Sequence, residues 1–397
     1  MKAMKSKHLV AIAITLLLSA IISITAAQDQ QKSFTVSNGD ILDLSTRMGN
    51  ITIDTWDKSE INVIVKNVIS SEIELLTMVQ TGNKVEVKFK GDNSDRVEFN
   101  ISIPSKLNLD LSTGGGNITL NNDLDGKIDA STAGGNISVQ NIIGKADIST
   151  AGGNIKVGDI NSKADISTAG GNIKVGDINS DGDISTAGGD VKIGNINGKA
   201  DVSTAGGNIK IGFIKGGADV SSAGGNISVD NIDGNADIST GGGNVKVGNV
   251  SGSAELNTGG GNISLEAATG KVEVNTGAGN ISLKDIKGSI EANTGAGNIN
   301  AKLVPDGKSV SEFNTGVGNI TLYVPESAKV TIVATVNVHV WNDDESEMQN
   351  IKSEFAPTTV NRYRNKKQIE ATFNLNGGGS KIELNVAMGE IEIKKLR

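Results

Sequence analysis

Carboxylates recurring at a fixed interval are the first residues in this 397-residue chain whose type and spacing could do chemistry. Asp110, Asp129, Asp147, Asp165, Asp183, Asp201, Asp219, Asp237, Glu255, Glu273, Glu291 and Glu312 each stand two residues before a Ser or Asn. Asp43 and Glu383 keep the same place in two outlying copies. A row of hard oxygen donors could hold Ca²⁺, with Asp165, Asp183, Asp201 and Asp219 as the candidate ligands. It could equally form a docking stripe for a basic or polyvalent partner, or a solvated face with partial charge pairing. The Gly-Gly-x-Gly-x-Asp pattern of Ca²⁺-binding nonapeptide repeats is absent, so the reading adopted is a solvated stripe with no metal and no cofactor.

Other chemistries find less support. Lys127, Lys145, Lys163, Lys199 and Lys271 lie two residues before an acid of the row, hence on its face of a strand, and partly offset it. A second row, Lys156, Lys174, Lys192, Lys210 and Lys246, runs along the following strand. Cys is absent, which excludes disulfides, thiolate metal sites, cysteine nucleophiles and a lipid-anchored N-terminal Cys. The two histidines are His8 and His339, the latter in an alternating Val338-His339-Val340 segment beside Trp341, the pattern of a surface strand. Polysaccharide cleavage, the usual activity of β-helical enzymes, needs one acid pair whose surroundings differ from all others. These acids repeat uniformly and no long loops build a cleft, so no catalytic residue is assigned and a non-enzyme is expected. Charged rungs also argue against a flat ice-binding face. The formal net charge of −8, without a basic block, gives no support to a nucleic-acid partner.

What positions these rows is a repeat. The phrase Ser-Thr-Ala-Gly-Gly-Asn-Ile recurs with its Asn place at positions 117, 136, 154, 172, 190 (Asp), 208, 226, 244, 262, 280, 298 and 319. The step is 19, then 18 nine times, then 21, and 43 of the 51 Gly fall between Leu111 and Ile320. Ala164, Ile166 and Thr168 alternate with Asp165 and Ser167, which predicts a strand with one buried face. Ala169, Gly170 and Gly171 predict a turn that uses positive φ, and Ile173 and Val175 flanking Lys174 predict a second short strand. Units that cannot bury their apolar side alone must stack. The fold expected is therefore an all-β, single-stranded parallel β-solenoid, with one coil per 18 residues and a length of about 50–55 Å. Columns of Ile148, Ile166, Ile184, Val202, Val220 and Ile238 would fill a narrow bore, since Phe213 is the only aromatic between Asn117 and Asn300. Stacked Asn side chains would form an amide ladder.

Solenoid ends need caps. The division expected is a signal peptide over 1–27, an N-terminal β cap over 28–107, repeats over 108–321 and a C-terminal β cap over 322–397. Lys2, Lys5 and Lys7, the apolar run Leu9 to Ile24 and the small residues Thr25, Ala26 and Ala27 have the layout of a cleavable secretory signal. No membrane span is expected after its cleavage, and the protein would be periplasmic, cell-surface or secreted.

In its motifs the chain resembles the bacterial putative-adhesin domain of unknown function, a β-helical family related to GIN-type adhesin heads. The resemblance rests on Gly49-Asn50-Ile51-Thr52-Ile53 followed by Trp56-Asp57, on the run Phe99 to Pro104, and on Gly389-Glu390-Ile391-Glu392-Ile393. It implies an exported surface or periplasmic protein and supplies no catalytic or ligand residue. The expectation for function is a non-enzymatic solenoid presenting a repetitive surface, as an adhesin or cell-envelope interaction protein. Its partner would be an envelope glycan or another surface protein. A structural envelope protein without specific ligand is the alternative.

Overall fold

A computed structural model describes residues 27–91, 97–338, 348 and 350–397. The expected signal segment, apart from Ala27, lies outside the described residues, as do His8, His339 and Trp341. The protein is all-β, built from parallel strands in two stacked sheets.

One sheet contains the segments that carry the acidic row. Ala164–Thr168 pairs in parallel with Ala146–Thr150 on one side and Gly182–Thr186 on the other, each residue opposite its counterpart in the repeat. The second sheet contains the short strands that follow the turn, such as Ile155–Val157 against Ile173–Val175. Alternation decides which side is buried: Ile148, Ile166, Ile184 and Ile238 are 0% exposed, while Lys156, Lys174 and Lys192 are fully outward. A fully buried Ile or Val contributes roughly 1.5–3 kcal/mol relative to its exposed state, so these columns carry most of the driving force. A third inward contact closes each level, with Ile142, Ile160, Ile178, Ile196 and Ile214 bridged in sequence. Phe213, the lone aromatic between Asn117 and Asn300, is half-buried on the outside, leaving that stretch of the interior to aliphatic side chains and inward threonines.

The outlying copies of the repeat join the same stack. Ile41–Thr46 lies between Lys84–Phe89 and Asn108–Thr113, so Asp43 sits opposite Asp110. At the other end Ser380–Met388 lies between Ser311–Val317 and Val330–Asn337, placing Glu383 opposite Glu312. Spatial order therefore departs from chain order at both ends. Antiparallel strands appear only beyond these levels among the described residues: Glu60–Ile69 with Ala27–Thr35 and with Glu98–Pro104, Leu76–Thr81 on Lys84–Phe89, and Gln368–Leu375 with Val330–Asn337 and with Thr359–Tyr363.

The turn glycines differ from the expectation in one respect. Gly153, Gly171 and Gly189 do not occupy positive φ; among the glycines immediately preceding the Asn place, or its Glu390 counterpart, only Gly49, Gly318 and Gly389 do. What excludes a side chain is proximity, since a Cβ on Gly171 would lie 1.9 Å from the carbonyl oxygen of Gly153 in the level before it. The close stacking of successive turns, and not the local conformation, is what demands glycine there.

Candidate functional site

Register turns the acids into one continuous stripe. Asp147, Asp165, Asp183, Asp201 and Asp219 face one another in successive pairs, half-buried or exposed. The candidate Ca²⁺ ligands Asp165, Asp183, Asp201 and Asp219 thus stand side by side. Among the described residues, however, no group of three or more His, Asp or Glu side chains converges to hold a metal ion. Linear stacking explains this: neighbours stand about 4.8 Å apart along a line, and nothing brings a third carboxylate around a common centre.

Lysines neutralise the stripe mainly toward its ends. Lys381 bonds Glu383 two residues on, and Lys84 bonds Asp43 from a neighbouring strand, a partner the residue spacing did not reveal. Lys145 Nζ is 3.4 Å from Asp147, and Lys271 Nζ bridges Glu273 at 3.1 Å and Glu291 at 3.2 Å. The hydrogen bonds to Glu273 and Glu291 hold the Lys271 ammonium above its ordinary range. Two carboxyls of the stripe lie above their ordinary range. Partial desolvation, then the charges of Glu255 and Asp219, raise Asp237; desolvation, then Asp147 and Asp110, raise Asp129 against the opposing Lys145. A groove of about 500 Å³ follows the stripe past Lys163, Asp183, Lys199, Asp201, Gly217 and Asp219.

The asparagine ladder serves the backbone. The Asn154 backbone N–H donates to Asn136 Oδ1 at 2.8 Å, and the Asn172 N–H to Asn154 Oδ1 at 2.9 Å. The ladder starts at Asn50, whose Oδ1 accepts from Asn117 N, and ends with Glu390 N donating to Asn319. Buried threonines add an inner ladder: Thr168 Oγ1 donates to Gly153 O at 2.9 Å and accepts from Gly171 N at 3.2 Å.

A second amide ladder lies on the acidic sheet itself. Asn275 Nδ2 donates to Asn257 Oδ1 at 3.0 Å, Asn293 to Asn275 at 2.9 Å, Asn314 to Asn293 at 2.7 Å and Asn385 to Asn314 at 2.9 Å. It occupies the place filled by Ser167, Ser185 or Ser203 earlier in the array, and it lines a groove of about 460 Å³. The signal for it was present in the sequence as a change from Asp-x-Ser to Glu-x-Asn at Glu255. Trp56 belongs to neither groove. Its Nε1 donates to Glu60 O at 2.8 Å and Lys58 Nζ sits 4.5 Å from its ring centroid, a clip on a terminal turn.

The described residues form a stacked all-β array with outward polar ladders. Residues 215–368 of the chain match the Toastrack DUF4097 family. Similar solved structures include a putative adhesin from Parabacteroides merdae, 14% identical over 75% of this chain and 92% of its own, with a TM-score of 0.25. A putative adhesin from Bacteroides fragilis is 13% identical, covering 94% of this chain and 99% of its own, with a TM-score of 0.17. A putative lipid binding protein from Parabacteroides distasonis is 12% identical over 75% of this chain and 93% of its own, with a TM-score of 0.19. No curated protein matches the chain.

Proposed function

We propose that this protein is an exported, non-enzymatic β-solenoid that displays a repetitive surface for adhesion or for interaction with the cell envelope. One coil takes about 18 residues, and the antiparallel strands at each end act as caps on otherwise open strand edges. The observation that carries the reading is the uninterrupted outward register, in which the same polar groups recur at one surface place from Asp43 to Glu383. Such a surface suits a partner that is itself repetitive or extended, an envelope glycan or another surface protein. The uniform acids supply no locally distinct pair for acid–base catalysis, which supports the non-enzymatic part. No described helix is long and apolar enough to cross a membrane. Export rests on the secretory layout of residues 1–27.

Cell fractionation, followed by binding of the purified protein to isolated envelope, tests this. Recovery outside the cytoplasm and saturable retention on envelope are expected. Cytoplasmic recovery without retention would overturn the reading.

A further inference from the structure

The array divides into two halves with different outward chemistry. From Asp129 to Asp237 the acidic strand reads Asp-x-Ser-Thr/Ser, and the next residue is Ala from Ala133 to Ala223. From Glu255 to Glu312 it reads Glu-x-Asn-Thr, and the next residue is Gly from Gly241 to Gly316. Acid, amide and glycine thus change within one or two levels, while Thr258, Thr276, Thr294 and Thr315 keep the same inner bond to the preceding turn. The change produces a groove. Asn257, Asn275 and Asn293 line it, and Gly259, Gly277 and Gly295 leave its edge without a side-chain wall. A second hollow of about 380 Å³ shares Asn314 with the first and continues past Asn385 and Gln368.

We infer that this groove binds a neutral, extended, β-1,4-linked glycan along the rod axis. Hydrogen-bond capacity supports it. An amide has two N–H donors and two acceptor lone pairs. Asn275 and Asn293 each spend one donor and one acceptor within the ladder, which leaves one of each per level for a ligand hydroxyl or acetamido group. Levels repeat about every 4.8 Å, and in an extended β-1,4-linked chain, whose successive sugars are turned over by half a turn, the same edge returns to the ladder at every second sugar, in step with about two levels. A peptide of irregular sequence has no such repeat. The flanking Glu255, Glu273, Glu291 and Glu312 disfavour a polyanion. Val317 and Met388, exposed and opposite each other just past Gly316, offer apolar contact for the C–H face of a sugar.

This inference rests on the surface-display reading, and titration calorimetry with cellohexaose and chitohexaose, with maltohexaose as a curved control, separates the two. At least one extended hexaose should bind saturably, and Asn275→Ser/Asn293→Ser should weaken it tenfold or more. Serine already fills the equivalent place at Ser167 and Ser185, so the variant has a precedent within the same fold. Should the variant nevertheless misfold, protection of 276–295 from hydrogen exchange by the bound hexaose reads the site in the unaltered protein. The absence of binding by either extended hexaose at millimolar concentration, an unchanged double variant, or equal binding of maltohexaose would overturn the groove. Envelope retention that persists while the hexaoses fail would sink the groove alone. Hexaose binding without envelope retention would sink the display reading alone.

Discussion

The buried threonines from Thr113 to Thr276 each join two successive levels through a single hydroxyl. Thr168 satisfies the Gly171 N–H of its own turn and the Gly153 carbonyl of the preceding one, and Ser222 does the same with Gly225 and Gly207. Removing the hydroxyl leaves buried backbone groups unpaired, which costs about 1–3 kcal/mol. Thr168→Val should therefore lower stability by about that amount in urea melts, whereas Thr168→Ser should lose much less. Equal losses in the two variants would show that methyl packing, and not the bond, holds this place. Gly171→Ala is expected to be worse than either, because its Cβ would sit 1.9 Å from Gly153 O and backbone must move. A midpoint within error of the wild type would contradict the close-approach account of these glycines.

Strands turn the alternation of residue types into an inside and an outside. Ile166 is 0% exposed and stacks between Ile148 and Ile184, so Ile166→Asp places an unpaired charge in an apolar column and should cost more than about 4 kcal/mol. Lys174 is exposed, and Lys174→Asp should change stability by no more than about 0.5 kcal/mol. Denaturant melts giving comparable losses would refute the assigned faces. Those faces, the parallel stacking and the acidic stripe were all legible in the residues, because period-2 alternation repeated at a constant step leaves few other ways to bury Ile and Val. What could not be read depends on contacts between distant segments. Asp43 comes to lie against Asp110 and Glu312 against Glu383 only because terminal strands insert into the stack, and Lys84 reaches Asp43 from the strand beside it. Glycine's role was misjudged for the same reason, since Gly171 is constrained by a neighbouring turn and not by its own φ. The amide groove around Asn275 was written in the change at Glu255, but its concavity arises from several levels acting together.

Across the whole rod, stability should respond to pH through the unneutralised part of the stripe. The folded-state pKa values of Asp129 and Asp237 lie above the ordinary 3.8, by partial desolvation first and like-charge neighbours second. An acid with a raised folded value binds more protons folded than unfolded between the two values, so stability falls as pH rises through that window. At pH 7 the destabilisation is fully present, and it is relieved as pH drops toward 3.8. Asp306 has the opposite sign: the Ser309 and Lys308 backbone N–H bonds lower it, so its stabilisation is present above 3.8 and lost only below that value. The two effects occupy separate windows, and the thermal midpoint should rise modestly from pH 7 to about 4.5 before falling in stronger acid. Asp237→Asn should raise the midpoint at pH 7 by an amount worth less than about 1 kcal/mol, since the group is largely exposed and screened. Glu273→Gln should lower the midpoint or leave it unchanged, because it removes an acid already bonded to Lys271. Added NaCl should stabilise by screening the stripe. CaCl₂ should do no more than NaCl at equal ionic strength, as no three acids converge among the described residues. Melts across pH and salt test these signs together. A midpoint that falls steadily from pH 7 to 5 and ignores salt would mean that the acids are paired along the whole stripe, and a calcium-specific rise would restore the metal row.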